Sequence, residues 1–193
     1  MDLSFLKDKD YFSDCDILLL HTKTNWWKPN TWVSSRIQID SGGKYNHSAM
    51  LVWSEEKKEW RIIEAKWQVE DNPLSIYCND KYEFDIFQEK EPLTRYEQQD
   101  CEFKVREQIG DKYDVKAIAK IRLKQLFHSY KYIEELEPQI KDKNLWICSR
   151  LVLYGRQYCG RPILCEDGEP LGAIASPNDI GRSHSIEMTF SYR

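Results

Sequence analysis

The 193-residue sequence has no long apolar run, no cluster of basic residues and no low-complexity tract. Its apolar stretches, such as Ile17–Leu20, are far shorter than the roughly 20 residues that a membrane-spanning helix needs. Acidic and basic residues alternate along the chain and give a net charge of −4. This distribution offers no basic surface for nucleic acid or anionic lipid. We therefore expect no nucleic-acid partner, no transmembrane segment and no particular protein partner.

The first residues, Met1–Asp8, have neither the basic start nor the apolar middle of a signal peptide. From this we expect a protein kept in a reducing cytoplasm, where cysteines stay as free thiols. None of the six cysteines forms a C-x-x-C pair, and no His-x-x-x-His stands near Cys159 and Cys165 to complete a zinc site. We expect no metal and no cofactor. Because no linker or repeat interrupts the chain, we predict one domain over residues 1–193.

Apolar periodicity predicts an α+β fold. Thr94-Arg95-Tyr96-Glu97 has the form of a capping box, so a helix is predicted from there to a stop at Gly110. Asp114 is a candidate cap for a second helix, and the segment 130–143 is predicted to be a solvated helix or loop. Segments rich in β-prone residues predict strands, and residues 171–180 are predicted to be turn-rich. The predicted strands are 15–21, 45–53, 60–67, 82–87 and 186–192.

Cys148 lies where an apolar, strand-like approach turns into a predicted helix that ends near Gly160. The first backbone N–H groups of a helix have no intrahelical partner and favour an anion, such as a thiolate. A nearby histidine would lower the thiol pKa from about 8.5 further into the nucleophilic range. Position alone also fits a cysteine that merely fills apolar space.

His47 begins a predicted central strand, and Glu64 lies on the strand predicted to return beside it. In an antiparallel hairpin the end of the second strand meets the start of the first, which brings Glu64 close to His47. A carboxylate among Ile62, Ile63 and Ala65 needs a partner, and an imidazole is suitable. The alternatives are a structural histidine and a glutamate on a solvated face.

Trp26, Trp27 and Trp32 fall in one predicted connection. They are candidates for a lid over the core or for an apolar groove that binds substrate. If they formed a docking patch instead, the protein would be an interaction module.

Six segments, in order along nearly the whole chain, resemble the circularly permuted, NlpC-type papain-like cysteine hydrolases, a family called YiiX-like and related to lecithin:retinol acyltransferase. Two positions depart from the family pattern: Cys15 replaces a glycine, and Arg150 replaces the usual glutamate. The matching segments are Asp16–Leu19, Tyr45–His47, Ile62–Ala65, Lys112–Asp114, Ile147–Val152 and Ser176–Ile180.

The resemblance implies a papain-like α+β fold, with an antiparallel sheet packed against helices and the nucleophile at a helix N-terminus. It implies that Cys148 is the nucleophile, His47 the base and Glu64 the residue that orients the imidazole. Tyr45 would be an accessory hydroxyl near the oxyanion. Arg150, as a cation in the first helical turn, could hold a substrate carboxylate.

The sequence therefore predicts a thiol-dependent hydrolase of small peptide, amide or lipid-ester substrates that works through an acyl-enzyme. The alternatives are an acyltransferase that passes the acyl group to a lipid or amine, and a binding module that retains the triad without catalysis.

Overall fold

The computed structural model describes residues 3–23, 43–112, 146–172 and 175–193. It is an α+β structure built on one six-stranded antiparallel sheet. Its strands are β1 (Ile17–Thr22), β2 (His47–Ser54), β3 (Glu59–Ala65), β4 (Val69–Pro73), β5 (Tyr82–Glu89) and β6 (Ile186–Tyr192). Its helices are α1 (Arg95–Arg106), α2 (Cys148–Tyr158) and α3 (Pro177–Gly181), with 3-10 helices at Ser4–Lys7 and Leu74–Tyr77.

The strand order is β4-β3-β2-β1-β5-β6, so β2 is an interior strand, as its two apolar faces predicted. On one face, Met50 and Val52 belong to the core beneath α1 and α2. On the other, Ala49 and Leu51 belong to a second core, to which the two 3-10 helices contribute. An antiparallel sheet covered on both faces is buried at its centre, and a polar side chain there needs a partner.

The strand predictions for β1, β2, β3, β5 and β6 are confirmed to within a few residues. The Thr94 capping box is also confirmed, because Thr94 accepts from the Glu97 backbone and Glu97 accepts in return. The α-helix ends at Arg106, earlier than predicted, and turns lead to Gly110 at a φ of 95°.

Strand β4 was not predicted, because Glu70, Asp71 and Asn72 give it a polar composition. The segment predicted to be turn-rich contains α3, which Ser176 caps and Pro177 begins. The predictions for Trp26, Trp27 and Trp32, for a helix from Asp114 and for residues 130–143 lie outside the described residues. Within the described ranges, none of the helices is long and apolar enough to cross a bilayer.

Candidate active site

Cys148 is the first residue of α2, as predicted, and only 5% of its surface is exposed. The preceding residue, Ile147, is extended and offers no side-chain cap. The first N–H groups of α2 therefore keep their hydrogen-bonding capacity for an anion. Leu151, Val152 and Gly155 are buried on the same helix and anchor it on the sheet.

His47 and Glu64 are hydrogen-bonded, with 2.7 Å between Nε2 and Oε2. The register of the β2–β3 hairpin produces this contact. Met50 pairs with Ile63, so continuing the register by one residue puts Glu64 opposite Ala49. His47 lies two residues before Ala49 on the same strand face, diagonally across from Glu64. The structure therefore brings the two side chains together where the hairpin predicted them.

His47 and the Cys148 thiol are close enough for each to shift the pKa of the other. Because Glu64 occupies Nε2, the nitrogen left for the sulfur is Nδ1. Burial works to lower the pKa of His47, but the hydrogen bonds and negative charges of Cys148 and Glu64 raise it to about 9. A histidine with this pKa is imidazolium at neutral pH.

The pKa of the Cys148 thiol is lowered, whereas that of His47 is raised. Burial works to raise its pKa, yet the hydrogen bond and positive charge of His47, aided by Ser48, lower it below the ordinary value. The geometry therefore favours a thiolate beside an imidazolium, the state in which a cysteine is both ionised and nucleophilic.

Glu64 has no exposed side-chain surface and receives four hydrogen-bond donors. Burial works to raise its pKa, but His47 and Lys66 outweigh it and lower the pKa to about 2. The carboxylate is thus charged and fixed in place. Its donors are His47 Nε2 at 2.7 Å, Tyr77 Oη at 2.6 Å, Asn72 Nδ2 at 3.0 Å and Lys66 Nζ at 2.8 Å.

Ser48 is a site residue that the sequence reasoning missed. It lies in β2 two residues before Met50, which pairs with Ile63 of β3, and both its backbone N–H and its hydroxyl lower the pKa of Cys148. Its side chain is fully buried, and in the described part of the chain the hydroxyl has no hydrogen-bond partner within normal distance. The lowered pKa of Cys148 is therefore the effect that connects this hydroxyl to the sulfur.

We expect Ser48→Ala to raise the pKa of Cys148 by about one unit, because a hydrogen bond to a charged group contributes roughly 1.5 to 3 kcal/mol. The measurement is the rate of Cys148 alkylation as a function of pH. Ser54→Ala, at the other end of the same strand, is the control and should leave the profile unchanged. An unchanged profile in Ser48→Ala would exclude this role.

Tyr45 is held in a different polar cluster. Its hydroxyl donates to Oδ2 of buried Asp85 at 2.6 Å, and burial together with this carboxylate raises the Tyr45 pKa. Asp85 also accepts from Lys44 Nζ at 2.5 Å, Arg193 Nη2 at 2.9 Å and the Ser191 hydroxyl at 2.5 Å. The Tyr45 hydroxyl is thus engaged away from the sulfur, and its role beside an oxyanion stays a prediction.

Arg150 is mostly buried, with 8% of its surface exposed, and its guanidinium lies 5.2 Å from the ring centre of Trp146. Trp146 in turn donates from Nε1 to Asp111 Oδ2 at 2.9 Å. This stacking orients Arg150 within the first turn of α2, and contact with a substrate carboxylate stays a prediction. Trp26 and Trp27, the other predicted substrate-binding residues, lie outside the described residues.

Metal binding has little support from the side chains that the structure describes. In these ranges no three His, Cys, Asp or Glu side chains are placed to hold one ion. Both oxygens of Glu64 already accept hydrogen bonds. All six cysteines are free thiols.

No protein-family model matches this chain, and no curated protein matches its sequence. Among solved structures, the fold is similar to that of the metalloprotein yiiX from Escherichia coli O157:H7, with a TM-score of 0.63 and 16% sequence identity. The similarity covers 92% of this chain and 96% of the E. coli protein. The chain therefore has a YiiX-like fold.

Proposed function

We propose that this protein is a thiol-dependent hydrolase of amide or ester bonds that acts through Cys148, His47 and Glu64. The observation that carries the proposal is the chain of contacts from the sulfur through His47 to Glu64. The sulfur lies at a helix start whose N-cap residue, Ile147, offers no side-chain cap. Nucleophilic catalysis requires this arrangement, in which a nucleophile lies beside a base and a carboxylate orients the base.

In the first step, the Cys148 thiolate attacks the substrate carbonyl carbon and forms a carbon–sulfur bond. The carbonyl electron pair moves to oxygen, and the first N–H groups of α2 are placed to donate to that oxyanion. As the carbonyl re-forms, the bond to the leaving amine or alcohol breaks, and His47 Nδ1 supplies the proton that the leaving group needs. Glu64 holds the ring in position throughout.

In the second step, His47 accepts a proton from water, which attacks the thioester and releases the acid. The thiolate and imidazolium are then restored. An acyltransferase would differ only here, with a lipid or amine replacing water as the acceptor. The proposed substrates are small peptides, amides or lipid esters.

The six matching sequence segments support a papain-like, permuted NlpC-type assignment, and the structural comparison supports the YiiX-like fold. The E. coli protein is a metalloprotein by name, but among the residues that this structure describes no three His, Cys, Asp or Glu side chains, those around Cys148 included, are placed to hold one metal ion. The proposed mechanism therefore includes no metal.

The test is trapping of the acyl-enzyme. We expect p-nitrophenyl acetate to add one acetyl group to the native protein within the first turnover, detected by intact mass and located on Cys148 by peptide mapping. Cys148→Ala should gain none, while Cys165→Ala, which lacks another partly exposed thiol, should react like wild type. Equal acetylation of Cys148→Ala and wild type would refute the proposal, and the reading as a non-catalytic binding module would replace it.

A further inference from the structure

Lys66 is a second cation on the carboxylate that orients His47. Its Nζ lies 2.8 Å from Glu64 Oε1, and His47 Nε2 lies 2.7 Å from Oε2 of the same group. The two cations therefore bind different oxygens. Tyr77 donates to Oε2 and Asn72 to Oε1, so each oxygen has one cation and one neutral donor.

The local structure holds Lys66 in this position. Its backbone N–H donates to Gln68 O at 3.0 Å in the turn between β3 and β4. Its Nζ also lies 5.0 Å from the ring centre of Tyr77, close enough for a cation–π contact. The side chain is 36% exposed, so solvent partly screens its charge.

The charges in the site explain why a second cation matters. Thiolate, imidazolium and Glu64 carboxylate alone would place a net negative charge in a buried site, which is costly. Lys66 makes the set neutral. We infer that Lys66 is a positioning residue that keeps Cys148 and His47 in the thiolate–imidazolium state at neutral pH; this inference rests on the proposed function.

Among the described residues, Arg150 of α2 is a further cation near Cys148, and its guanidinium lies over the Trp146 ring. The other titratable groups surround Glu64. Tyr77 faces Glu64 from the 3-10 helix, and Tyr82 of β5 lies against Tyr77 with 4.9 Å between ring centres. Glu70 of β4 reaches the site only through Asn72 Nδ2, at 3.2 Å. Lys66 is thus the cation that offsets the charge of Glu64 from the side opposite His47.

Removing this charge makes the site more negative, which favours the protonated form of both neighbours. The pKa of Cys148 and the pKa of His47 should therefore rise together in Lys66→Met. We expect a rise of about one unit for His47 and a smaller rise for Cys148, since solvent partly screens the Lys66 charge. A residue that served only to stabilise the fold would not move both in the same direction.

The experiment measures two pKa values in each variant. Iodoacetamide alkylation of Cys148 against pH reports the thiol, and NMR titration reports the His47 ring, which is one of only four histidines in the chain. Lys66→Met and Lys66→Gln should both show the rise, and Lys66→Arg should restore the wild-type values. Lys7→Met removes a lysine from the surface ion pair with Glu59 and is the matched control.

The outcomes separate this inference from the proposed function. If wild-type His47 titrates as an ordinary histidine and Cys148 as an ordinary thiol, the proposed function fails. If wild type has a raised His47 pKa and a lowered Cys148 pKa, but the values of the folded Lys66→Met and Lys66→Gln variants coincide with it, the role of Lys66 is refuted and the proposed function stands.

Discussion

Replacing His47 by glutamine is expected to slow acyl-enzyme formation by about 10³-fold or more. A positioned acid–base group contributes roughly 10² to 10⁴-fold, and His47 also supplies the positive charge that keeps Cys148 ionised. Without it, burial would return the thiol pKa to its ordinary value or above, which leaves little thiolate at neutral pH. The measurement is the single-turnover rate of acetylation at Cys148.

Glutamine is chosen because its amide can still donate to Glu64, which keeps the buried carboxylate partnered. His184→Gln is the control, since His184 is exposed and lies outside the site. It should react at the wild-type rate. An acetylation rate in His47→Gln within tenfold of wild type would mean that the histidine does not activate the sulfur.

Glu64→Gln is expected to cause the largest loss of stability among the site variants, about 3 kcal/mol in the free energy of unfolding near pH 5.5. Removing one partner of a buried ion pair typically costs about 3 to 5 kcal/mol, because the other charge is left buried without compensation. Here the cation left behind is His47, and the partly exposed Lys66 also loses its carboxylate. The measurement is denaturant unfolding at several pH values.

The sign of the pH dependence follows from the two shifted groups. The Glu64 pKa falls from 4.5 to about 2 on folding, so its contribution is present above pH 4.5 and is lost as the pH falls towards 2. The His47 pKa rises from 6.5 to about 9, so its contribution is present below pH 6.5 and is lost as the pH rises through 9. Both groups contribute fully between these limits, so the difference between wild type and Glu64→Gln should be largest there.

Glu83→Gln is the matched control. Glu83 of β5 forms an ion pair with Lys23, with 3.2 Å between Oε1 and Nζ, and both side chains are partly exposed. Its effect should stay below about 1 kcal/mol, as for surface ion pairs. A loss of that small size in Glu64→Gln, or a loss that is the same near pH 2 and pH 5.5, would contradict a buried charged carboxylate.

Sequence reasoning reached the parts of the site that depend on local patterns. The apolar periodicity after Cys148 placed it at the start of a helix. The hairpin between two β-prone segments placed Glu64 beside His47. Both follow from spacing along one or two neighbouring elements, and the structure has both.

The parts that were missed depend on contacts between distant segments. The Tyr45 hydroxyl meets Asp85 across β1, and no local pattern specifies that partner. Ser48 of β2 lowers the pKa of Cys148 at the start of α2, and these two residues are 100 positions apart in the sequence. Strand β4 lies at the sheet edge, where polar residues are tolerated and the alternation that predicts strands is weak. A signal for Lys66 existed, since it stands two residues after Glu64 in the sequence, directly after the end of β3.

The pH dependence of Cys148 alkylation in the native protein tests the central claim most directly. Iodoacetamide labelling followed by peptide mapping should show Cys148 reacting first among the six cysteines, at a rate nearly constant from pH 8 down to about pH 6. Such a plateau is the behaviour of a thiolate held by His47 and the start of α2. A Cys148 rate that instead climbs about tenfold per pH unit over this range, as for an ordinary thiol, would contradict the account.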